Sequence, residues 1–480
     1  MVPVKVDVVV VGGGVIGCSV ARELSRFRVR VMLLEKNAEV GFGTTKTNSG
    51  IIHPGHDTSL STLKGRLVTP GNAAFDQLKE ELHFGFERIG QLNVAMNEGD
   101  MAELERMKAQ GDAKGVPGLE LWGQERLRRE EPNLCRELLG ALYAPSAGVI
   151  NPYEFAFALE ESAKRNGVQV RVGCPVSAIS VLGDSLLVET PCGPVEAPFV
   201  VNCAGVHADT IAAMVGCNTF RILPRKGEEY MLDKRLRGLV RRLVFPIPNK
   251  TTKGTLIIPT FDGTIMVGPT ADDVDDREDV ATSAPGSQSV FAFVKKLCPS
   301  IDQRDAIAAF AGLRAASDTG DFVIGTTSVK GFINVAGIQS PGLTSAPSIA
   351  WYVRDILAQE GLELKANREF VAGISGPSRF ASADHERQAE LVASNPAFGK
   401  VVCRCELVTE AEIHESIDHG ARTLDGIKFR TRAGMGRCQG GFCTSRCMDI
   451  LSARLSIPIT EVTKRGAGTE ICVPMDDHVE

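Results

Sequence analysis

The chain has 480 residues, too many for one hydrophobic core, so we expect two or three domains of about 100 to 200 residues each. Its 43% hydrophobic and 23% charged residues are typical of a folded protein, and a net charge of −6 provides no basic surface for nucleic acid. Asp7 interrupts the apolar N-terminus, and no run approaches the roughly 18 apolar residues of a membrane helix. We therefore expect a cytoplasmic protein without a signal peptide or an integral membrane span, whose contact with the inner face of a membrane would be made through a partner.

The first 35 residues show the alternation of a βαβ unit. The apolar run VDVVVV leads through GGGVIG into the helix-like CSVARELSRF, and VRVMLLE follows as a second strand. In such a unit Gly12 permits a tight turn, Gly14 lets the backbone approach a pyrophosphate, and Gly17 allows the helix to pack closely on the strand. Glu35 follows Gly17 by 18 residues, where a carboxylate accepts hydrogen bonds from a ribose and disfavours a 2′-phosphate. The pattern predicts a dinucleotide site that does not suit NADP; a glycine-rich turn without a ligand is the alternative.

The middle of the chain predicts a second α/β stretch and then an antiparallel sheet. The helix-like FAFALEESAKRNG precedes the strands QVRVG and FVVNCAGVHA. Residues 221–290 alternate apolar with polar positions, and RILPRKGEEYML, RLVFPIP and GTLIIPTFDGTIMVGP are candidate strands. The acidic run at 271–279 is predicted to be a solvated loop at the edge of this sheet.

A separate unit is predicted toward the C-terminus. Residues 371–384 are rich in Gly, Ser and Pro, and we place a linker at 371–397, a small, mostly helical domain at 398–454 and a tail at 455–480. Thr409 and Glu412 form a predicted capping box for the helix EAEIHESIDH, which Gly420 ends.

The cysteines number thirteen, and most fall into two groups. Seven are scattered singly and are predicted to be small buried apolar residues, namely Cys18, Cys135, Cys174, Cys192, Cys203, Cys217 and Cys298. In the second group two close pairs, Cys403 with Cys405 and Cys438 with Cys443, provide four thiolates for a [2Fe–2S] cluster or for tetrahedral zinc. Cys447 lies four residues after Cys443, on the same face of a helix, and is predicted to be buried beside the site. If Cys447 were itself a ligand, the assignment of Cys443 would be in doubt.

The segment KNAEVGFGTTKTNSGIIHPG after Glu35 resembles its counterpart in the glycine/D-amino-acid-oxidase-like flavoprotein superfamily. NCAGVHA at 202–208 and FINVAGIQSPGLTSAPSIA at 332–350 are similar to two further motifs of that superfamily, so the resemblance covers residues 1 to about 365. It implies that the dinucleotide is FAD, and that the N-terminus of a late helix points at the flavin and stabilises its anionic reduced form. The residues predicted to contact FAD are Gly12, Gly14, Val15, Ile16, Gly17, Glu35, Lys36, Thr44, Thr45, Asn48, Ser49, Val176, Ala204, Gly205, Gly337, Gly342, Leu343 and Thr344.

The resemblance also implies how the oxidoreductase region, 1–370, is divided. Its FAD-binding domain is α/β and Rossmann-like and is assembled from about 1–80, 145–220 and 310–365. Its substrate domain is α+β with an antiparallel sheet and is assembled from about 81–144 and 221–309.

Within the superfamily, NSGIIHPGHD, STLKGRLVTPGNAAFDQL and RIGQLNVA are most similar to FAD-dependent glycerol-3-phosphate dehydrogenases and L-2-hydroxyglutarate dehydrogenases. Both groups oxidise a secondary alcohol beside an anionic group. The resemblance implies that His53 is the base or a donor that orients the hydroxyl, with a loop hydrogen-bonder as the alternative. Arg314, in AGLRAASDTGDFVIG, is implied to hold the substrate anion, with a salt bridge to Asp318 or Asp321 as the alternative. Further positive charge, or plain solvated surface, is expected at Lys64, Arg66, Arg225 and Lys226.

The stretch from VVCRCELVTEAEI through GMGRCQGGFCTSRC resembles the bacterioferritin-associated-ferredoxin-like (BFD-like) [2Fe–2S] domain. That domain is fused to the anaerobic glycerol-3-phosphate dehydrogenase A subunit and to other flavoprotein dehydrogenases. The resemblance implies that Cys403, Cys405, Cys438 and Cys443 hold the cluster, with structural zinc or a domain that has lost its cluster as the alternatives. A flavin takes two electrons as hydride and a cluster passes them singly, which favours a dehydrogenase over an oxidase. We therefore expect a redox partner, either an NAD(P)H-linked flavoprotein or a quinone-reducing subunit, in a hetero- or homo-oligomer.

The leading prediction is oxidation of sn-glycerol 3-phosphate to dihydroxyacetone phosphate by hydride transfer to flavin N5, with electrons passing through the cluster to a partner or to quinone. The alternatives are an L-2-hydroxyglutarate or related 2-hydroxy-acid dehydrogenase, an amino-acid or opine dehydrogenase subunit, and an FAD and iron–sulfur electron-transfer subunit without a substrate of its own. His53 and Arg314 argue against the last, because a pure relay does not need a clamp for an anion.

Overall fold

The computed structural model describes residues 2–248 and 254–473. Up to residue 150 the elements are β1 (Val4–Lys5), β2 (Val8–Val11), α1 (Val15–Leu24), β3 (Val31–Leu34), β4 (Ile51–Ile52), α2 (Leu63–Ala73), α3 (Phe75–Leu82), β5 (Phe86–Glu87), β6 (Gln91–Ala95), α4 (Glu98–Ala113), β7 (Glu120–Gly123), α5 (Gln124–Glu130), β8 (Gly140–Ala144) and β9 (Gly148–Ile150). None of the helices in the described ranges is long and apolar enough to cross a membrane.

The central part of the chain continues this alternation. Its elements are α6 (Pro152–Arg165), β10 (Gln169–Arg171), β11 (Ala178–Leu182), β12 (Ser185–Glu189), β13 (Val195–Ala197), β14 (Phe199–Asn202), α7 (Ala208–Ala213), β15 (Ile222–Leu232), β16 (Leu243–Phe245), β17 (Leu256–Pro259), β18 (Ile265–Gly268), β19 (Asp272–Asp273), α8 (Ala284–Leu297), β20 (Ala306–Ser317), β21 (Val323–Thr326), β22 (Phe332–Ala336) and α9 (Gly342–Gln359). After a long connection follow α10 (His385–Ser394), β23 (Val401–Cys403), β24 (Val408–Thr409), α11 (Glu410–Asp418), α12 (Leu424–Thr431) and α13 (Thr444–Leu455).

The first layer is a six-stranded sheet in the order β10-β3-β2-β14-β22-β21. Its strands run parallel except for the pair of β21 with β22. Every residue of β2 and β3 is buried, because helices α1, α6 and α9 cover one face while β11, β12, β13 and α7 cover the other. Burial on both faces explains why these strands are continuous apolar runs without alternation.

The second layer is a nine-stranded sheet in the order β19-β15-β18-β17-β16-β6-β8-β7, with β20 also paired to β15. All three stretches predicted as strands between 221 and 268 are strands of this sheet. Its pairs are antiparallel except for β6 with β16, which brings residues near 91 together with residues near 243. The predicted fold class, an α/β domain with an antiparallel-sheet domain and a small helical unit, is confirmed by this arrangement.

The C-terminal unit differs from the prediction at both of its ends. Helix α10 lies within the predicted linker, and Leu391 and Phe398 pack against Ala411 of α11, so this part belongs to the unit. Beyond α13 the chain also packs, since Thr463 and Glu470 form a bridge and the Asp425 N–H donates to the Lys464 carbonyl at 2.8 Å. The last part of the predicted tail, 474–480, lies outside the described residues.

Two predictions about side chains need correction. Of the seven scattered cysteines, Cys135 is half-buried and Cys192 is exposed, so only the other five are buried. The acidic run lies at the sheet edge as predicted, but part of it is ordered as β19, and Asp273 and Asp279 form salt bridges with Arg225 and Lys226. These two cations are therefore partnered by carboxylates.

Candidate active site and cofactor sites

A single cavity of about 1970 Å³ runs between the parallel sheet, the antiparallel sheet and the C-terminal unit. Of the residues predicted to contact FAD, those that line it are Gly12, Gly14, Val15, Ile16, Glu35, Lys36, Thr44, Thr45, Asn48, Ser49, Val176, Ala204, Gly205, Gly342 and Leu343. Gly17, Gly337 and Thr344 do not line it. Thr344 is fully buried, and its hydroxyl accepts a hydrogen bond from the His53 N–H, so it acts on the site through a neighbour.

The glycine turn between β2 and α1 leaves no space for side chains. Gly12 has a φ of +105°, and a Cβ there would lie 2.5 Å from the Cys203 carbonyl oxygen. A Cβ on Gly17 would lie 1.9 Å from the Gly12 carbonyl oxygen, which is the close packing expected of the third glycine. Gly14 is the N-cap of α1 and offers no capping side chain, so the helix N-terminus opens into the cavity where a pyrophosphate would bind.

Glu35 is fixed by the turn that it faces. The Gly13 N–H donates to one carboxylate oxygen at 2.6 Å, and the Asn37 N–H and side-chain amide donate to the other at 2.8 and 2.7 Å. Burial raises the pKa of Glu35, and these hydrogen bonds oppose that effect. The oxygen that accepts from Gly13 keeps a second lone pair, so the residues present fit a dinucleotide with a ribose hydroxyl that donates to this carboxylate.

Strands β15 and β20 form the wall of the cavity opposite the dinucleotide turn. Their register places Gly227 opposite Gly312, with Arg225 opposite Arg314 on one side. Alternate residues of β15 line the cavity, among them Gly227 and Glu229. A Cβ on Gly227 would lie 2.6 Å from the Arg314 Nη2, so the missing side chain is what allows the guanidinium to lie across the strand.

Arg314 lies in this wall without an ion pair to any described residue. Its guanidinium donates only to carbonyl oxygens, at 3.1 Å to Thr270 and at 3.4 to 3.5 Å to Lys226 and Arg225. Burial lowers the pKa of Arg314, and the charge of Glu229 partly offsets this. The alternative of a salt bridge to Asp318 or Asp321 is not what the geometry gives.

The two aspartates of that alternative are occupied elsewhere. The Asp318 carboxylate accepts from the Arg221 N–H, whereas the Asp321 carboxylate accepts from the N–H groups of Leu63 and Lys64 at the start of α2. Both therefore hold loops and helix ends. Arg314 is left as a desolvated cation that faces the cavity, which is the electrostatic condition for binding an anion.

Glu229 is a site residue that the sequence patterns did not identify. Its side chain is buried, and it accepts a hydrogen bond from Ser49 Oγ through one oxygen, while Oε2 has no hydrogen-bond partner among the described residues. Burial raises the pKa of Glu229 to about 7, opposed by Ser49 and Arg314. A cavity-lining carboxyl that titrates near neutral pH can accept or donate a proton.

His53 follows β4 and is almost completely buried in the cavity wall. The loop is held by its backbone, since the N–H donates to Thr344 at 2.8 Å and the carbonyl accepts from Asn72 at 2.9 Å. The imidazole is packed edge-on against Phe245, and Nε2 lies 3.3 Å from Ser340 Oγ. The imidazole therefore lines the cavity and also contacts the loop before α9, which is compatible with both predicted roles of His53. Lys64, by contrast, donates to the Gly320 carbonyl and Arg66 is exposed.

The cysteine cluster is arranged as two pairs of thiols. Cys405 Sγ lies 3.6 Å from Cys438 Sγ, and Cys403 is hydrogen-bonded to Cys443. Cys447 is buried behind them, and its hydrogen bond lowers the pKa of Cys443 to about 6. Cys447 is thus buried beside the site, as predicted.

Backbone amides complete the thiol site. Burial raises the pKa of Cys438, but the N–H groups of Gly440, Gly441 and Phe442 outweigh that effect and lower it. Donors directed at sulfur favour thiolates, and two pairs of thiolates suit the two irons of a [2Fe–2S] cluster. The residues present therefore fit this cofactor.

The C-terminal unit closes one side of the flavin cavity. The Phe429 ring lies 5.8 Å from Phe42 and 5.0 Å from Tyr153, which belong to the oxidoreductase region. Glu39, which is buried in the loop after β3, accepts hydrogen bonds from the Arg430 side chain and the Thr423 hydroxyl. The two cofactor sites are thus parts of one packed structure.

Comparisons with known proteins agree with this geometry. The family profile "FAD dependent oxidoreductase" matches residues 7–356, and the profile "BFD-like [2Fe-2S] binding domain" matches 401–453. A glycerol 3-phosphate dehydrogenase from Caloramator mitchellensis is 42% identical over 97% of this chain and 98% of its own. An L-2-hydroxyglutarate dehydrogenase from Salmonella houtenae is 32% identical over 55% of this chain and 64% of its own.

A solved structure extends the similarity to the fold. Dithionite-reduced L-α-glycerophosphate oxidase from Mycoplasma pneumoniae, with FAD bound, superposes with a TM-score of 0.75 at 28% identity, over 78% of this chain and 99% of its own. The predicted resemblances, to the flavoprotein group and to the BFD-like domain, are both confirmed. The chain belongs to the family of FAD-dependent oxidoreductases, and it joins an FAD-binding region to a [2Fe–2S] domain.

Proposed function

We propose that the protein oxidises sn-glycerol 3-phosphate to dihydroxyacetone phosphate and passes the electrons through its [2Fe–2S] cluster to a redox partner. The observation that carries the proposal is Arg314, a half-buried guanidinium without a carboxylate partner in the described chain, in the same cavity as His53. Its planar fork matches phosphate oxygens, as it would match a carboxylate. The similarity to a glycerol 3-phosphate dehydrogenase along 97% of the chain favours the phosphate.

The residues of the cavity divide the reaction between them. FAD, when bound, supplies the acceptor for the hydride that leaves the carbinol carbon. Arg314 binds the phosphate and so fixes which carbon lies beside the cofactor. His53 takes the hydroxyl proton as the carbonyl double bond forms, and the Ser49–Glu229 pair provides a second place for a proton within the cavity.

The C-terminal domain favours a dehydrogenase over an oxidase. The match to the oxidase structure spans 99% of the oxidase chain but only 78% of this chain. The match to the dehydrogenase spans 97% of this chain. A one-electron cluster would be superfluous if oxygen took the electrons directly from the flavin. Cys405 is exposed, and Phe442, whose N–H contacts Cys438, leaves 86% of its surface accessible, so this edge of the cluster is where we expect the partner to accept electrons.

Anaerobic reduction of the bound flavin tests the substrate. Glycerol 3-phosphate, L-2-hydroxyglutarate and a panel of amino acids are added in turn to the holoenzyme while flavin absorbance is recorded. We expect rapid bleaching by glycerol 3-phosphate alone. Bleaching only by L-2-hydroxyglutarate would show that Arg314 binds a carboxylate and not a phosphate. Bleaching by amino acids, or by none of the compounds, would contradict the proposal.

The relay is tested separately with the double variant Cys405→Ser/Cys438→Ser, which removes one thiol pair. We expect glycerol 3-phosphate to bleach the flavin as before, while reduction of cytochrome c, a one-electron acceptor protein, is lost. Cys192→Ser, which changes another exposed thiol, is the matched control and should change neither reaction. Unchanged cytochrome c reduction in the double variant would show that electrons leave directly from the flavin.

A further inference from the structure

Four basic side chains from separate segments line the cavity where the C-terminal unit meets the oxidoreductase region. Lys46 comes from the short 3₁₀ helix at Thr44–Thr47, in the segment that follows Glu35. Lys428 lies on α12, and Lys464 and Arg465 lie in the hairpin that follows α13. We call these four the junction cations. Neither domain alone contains the complete set.

Several contacts bring the junction cations together. The ammonium groups of Lys46 and Lys428 lie 5.5 and 5.8 Å from the centroid of the same Phe429 ring. The hairpin is tied to α12 by a backbone hydrogen bond from Asp425 to Lys464. On its other side a Cβ on Gly466 would lie 3.2 Å from Ala38 Cβ, so the hairpin packs against the loop that follows Glu35.

The junction cations have no ion pair with any carboxylate in the described ranges. Burial lowers the pKa of Lys46, and the charges of Arg465, Lys428 and Lys464 lower it further, while Asp425 opposes them. Lys428 is affected in the same direction, again with burial as the largest cause. Lys46 and Lys428 thus share the influence of one nearby carboxylate, Asp425.

Two other cations in the same junction do form ion pairs with carboxylates. Arg430 and Arg432 form salt bridges with Glu39 and Asp262 across the contact between the domains. Protein carboxylates are therefore available where a cation has a purely structural role. The junction cations lack such partners. Lys464 and Arg465 are exposed to solvent, but Lys46 and Lys428 are half-buried, and leaving their charges unpaired is costly unless a ligand supplies negative charge.

We propose that Lys46, Lys428, Lys464 and Arg465 form a phosphate-binding site that is complete only when the [2Fe–2S] domain is docked on the flavin region. The site lies beside Thr44 and Thr45, and Thr45 Oγ1 accepts a hydrogen bond from the Val15 N–H at the N-terminus of α1. The phosphate groups of either FAD or a free pyrophosphate-containing compound have the required chemistry. Binding in either form would couple the docking of the cluster domain to occupancy of the cavity.

The first measurement asks whether the site holds the cofactor. Full-length protein freed of FAD is titrated with FAD and with riboflavin, which lacks phosphate, and flavin fluorescence is followed. If the cofactor is the ligand, Lys428→Gln/Lys464→Gln raises the dissociation constant for FAD roughly tenfold or more, equivalent to at least about 1.4 kcal/mol. Riboflavin binding should not change. The control Lys79→Gln/Lys296→Gln removes two exposed lysines elsewhere and should change neither titration.

The second measurement asks whether the site takes a free anion. The FAD-loaded enzyme is titrated calorimetrically with inorganic pyrophosphate. Binding to the wild type and the control, but not to the glutamine variant, would assign the site to a free phosphate compound. Lys428→Arg/Lys464→Arg keeps the charges and should retain whichever binding is found. The proposal is overturned if the glutamine variant matches the wild type in both titrations, or if the arginine variant loses as much binding as the glutamine variant, because the lysines would then act structurally.

Discussion

Two half-buried arginines line the same cavity, and their surroundings are opposite. Arg314 donates only to backbone carbonyls, whereas Arg432 donates to Glu406 at 2.8 Å and to Asp262 at 2.6 Å. Burial lowers the pKa of both, but around Arg432 the charges of Asp262, Tyr153 and Glu406 outweigh burial and raise it. The charge of Arg432 is balanced by carboxylates of the protein itself. The charge of Arg314 is not, so an anionic ligand can balance it.

Arg432 and Arg314 have different proposed roles in the cavity wall, the first in docking the domains and the second in binding substrate. Arg432 ends α12 in the left-handed conformation, with a φ of 71°, and reaches from the C-terminal unit to the turn between β17 and β18. Lys234, which follows β15, also contacts Glu406, so the network fastens the cluster domain to the substrate domain. The hydrogen bonds of Arg314 all go to carbonyls of β15 and of the loop after β18, so they do not join the two domains. We therefore expect the removal of Arg314 to harm catalysis and the removal of Arg432 to harm stability.

The largest expected effect is that of Arg314→Met on catalysis. Two charge-assisted hydrogen bonds to phosphate, at about 1.5 to 3 kcal/mol each, would be lost, so kcat/KM for glycerol 3-phosphate should fall roughly a thousandfold. The free energy of unfolding should not fall, because the variant removes a desolvated charge. Steady-state kinetics and urea denaturation measure the two quantities. Arg314→Lys keeps the charge without the planar fork, and its kcat/KM should lie between those of Arg314→Met and the wild type. An unchanged kcat/KM in Arg314→Met would show that Arg314 does not bind the substrate.

Arg432→Met should show the converse pattern. It would leave Asp262 and Glu406 without this cation in a buried setting, which typically costs about 3 to 5 kcal/mol of folding free energy. Urea denaturation should show that loss, while the rate at which substrate bleaches the remaining bound flavin changes little. Arg136→Met, at an exposed arginine without an ion pair in the described chain, is the matched control. Equal stability of Arg432→Met and Arg136→Met would refute the docking role.

We predict that Glu229 makes the stability of the protein depend on pH. Its pKa of about 7 in the folded protein exceeds the ordinary value of 4.5, so the folded state keeps a proton that the unfolded state releases. The free energy of unfolding therefore decreases as pH rises from 4.5 to 7, by roughly 3 kcal/mol, and stays reduced above that window. Glu229→Gln should remove this slope. Urea denaturation of the FAD-free chain at pH 4.5 and 8 should find the variant more stable than the wild type only at pH 8.

The neighbouring Glu228 supplies a control of opposite sign. Burial raises its pKa, but hydrogen bonds from Ser283 and Tyr230 outweigh burial and lower it. Its contribution to stability is present at neutral pH and is lost as the pH falls through its lowered pKa. Glu228→Gln should therefore be less stable than the wild type at pH 8. If both variants behave alike, the two faces of β15 do not differ as the structure indicates.

The sequence predicts features that are local in the chain. It does not predict features that depend on which distant strands pair with each other. Gly12, Glu35 and the cysteine pairs belong to short patterns whose chemistry depends on spacing alone. Glu229 lies on the cavity face only because β15 pairs with β20 some eighty residues later. Glu228 and Glu229 are adjacent in KGEEYML and so lie on opposite faces of the strand, but which face meets the cavity follows from the pairing with β20.

The same limit explains the C-terminal differences. The linker was predicted from Gly, Ser and Pro at 371–384, yet Asp384 caps α10 by accepting from the Arg387 N–H, a capping signal that identifies the helix start. The contact of Arg432 with Tyr153 and Asp262 joins three distant segments and leaves no local pattern. Residues whose role depends on one domain docking on another are visible only in the folded chain.

The smallest predicted effect concerns how Arg314 is positioned. In Gly227→Ala the new Cβ would start 2.6 Å from Arg314 Nη2, so the flexible guanidinium must move away while the strand pairing persists. We expect KM for glycerol 3-phosphate to rise roughly tenfold, about 1.4 kcal/mol, with little change in unfolding free energy. Gly325→Ala is the matched control, because a Cβ on this strand glycine meets no atom within 4 Å. An unchanged KM would mean that the anion is not held by the guanidinium in the position that Gly227 allows, and Arg314 would then serve the wall of the cavity as Arg432 does.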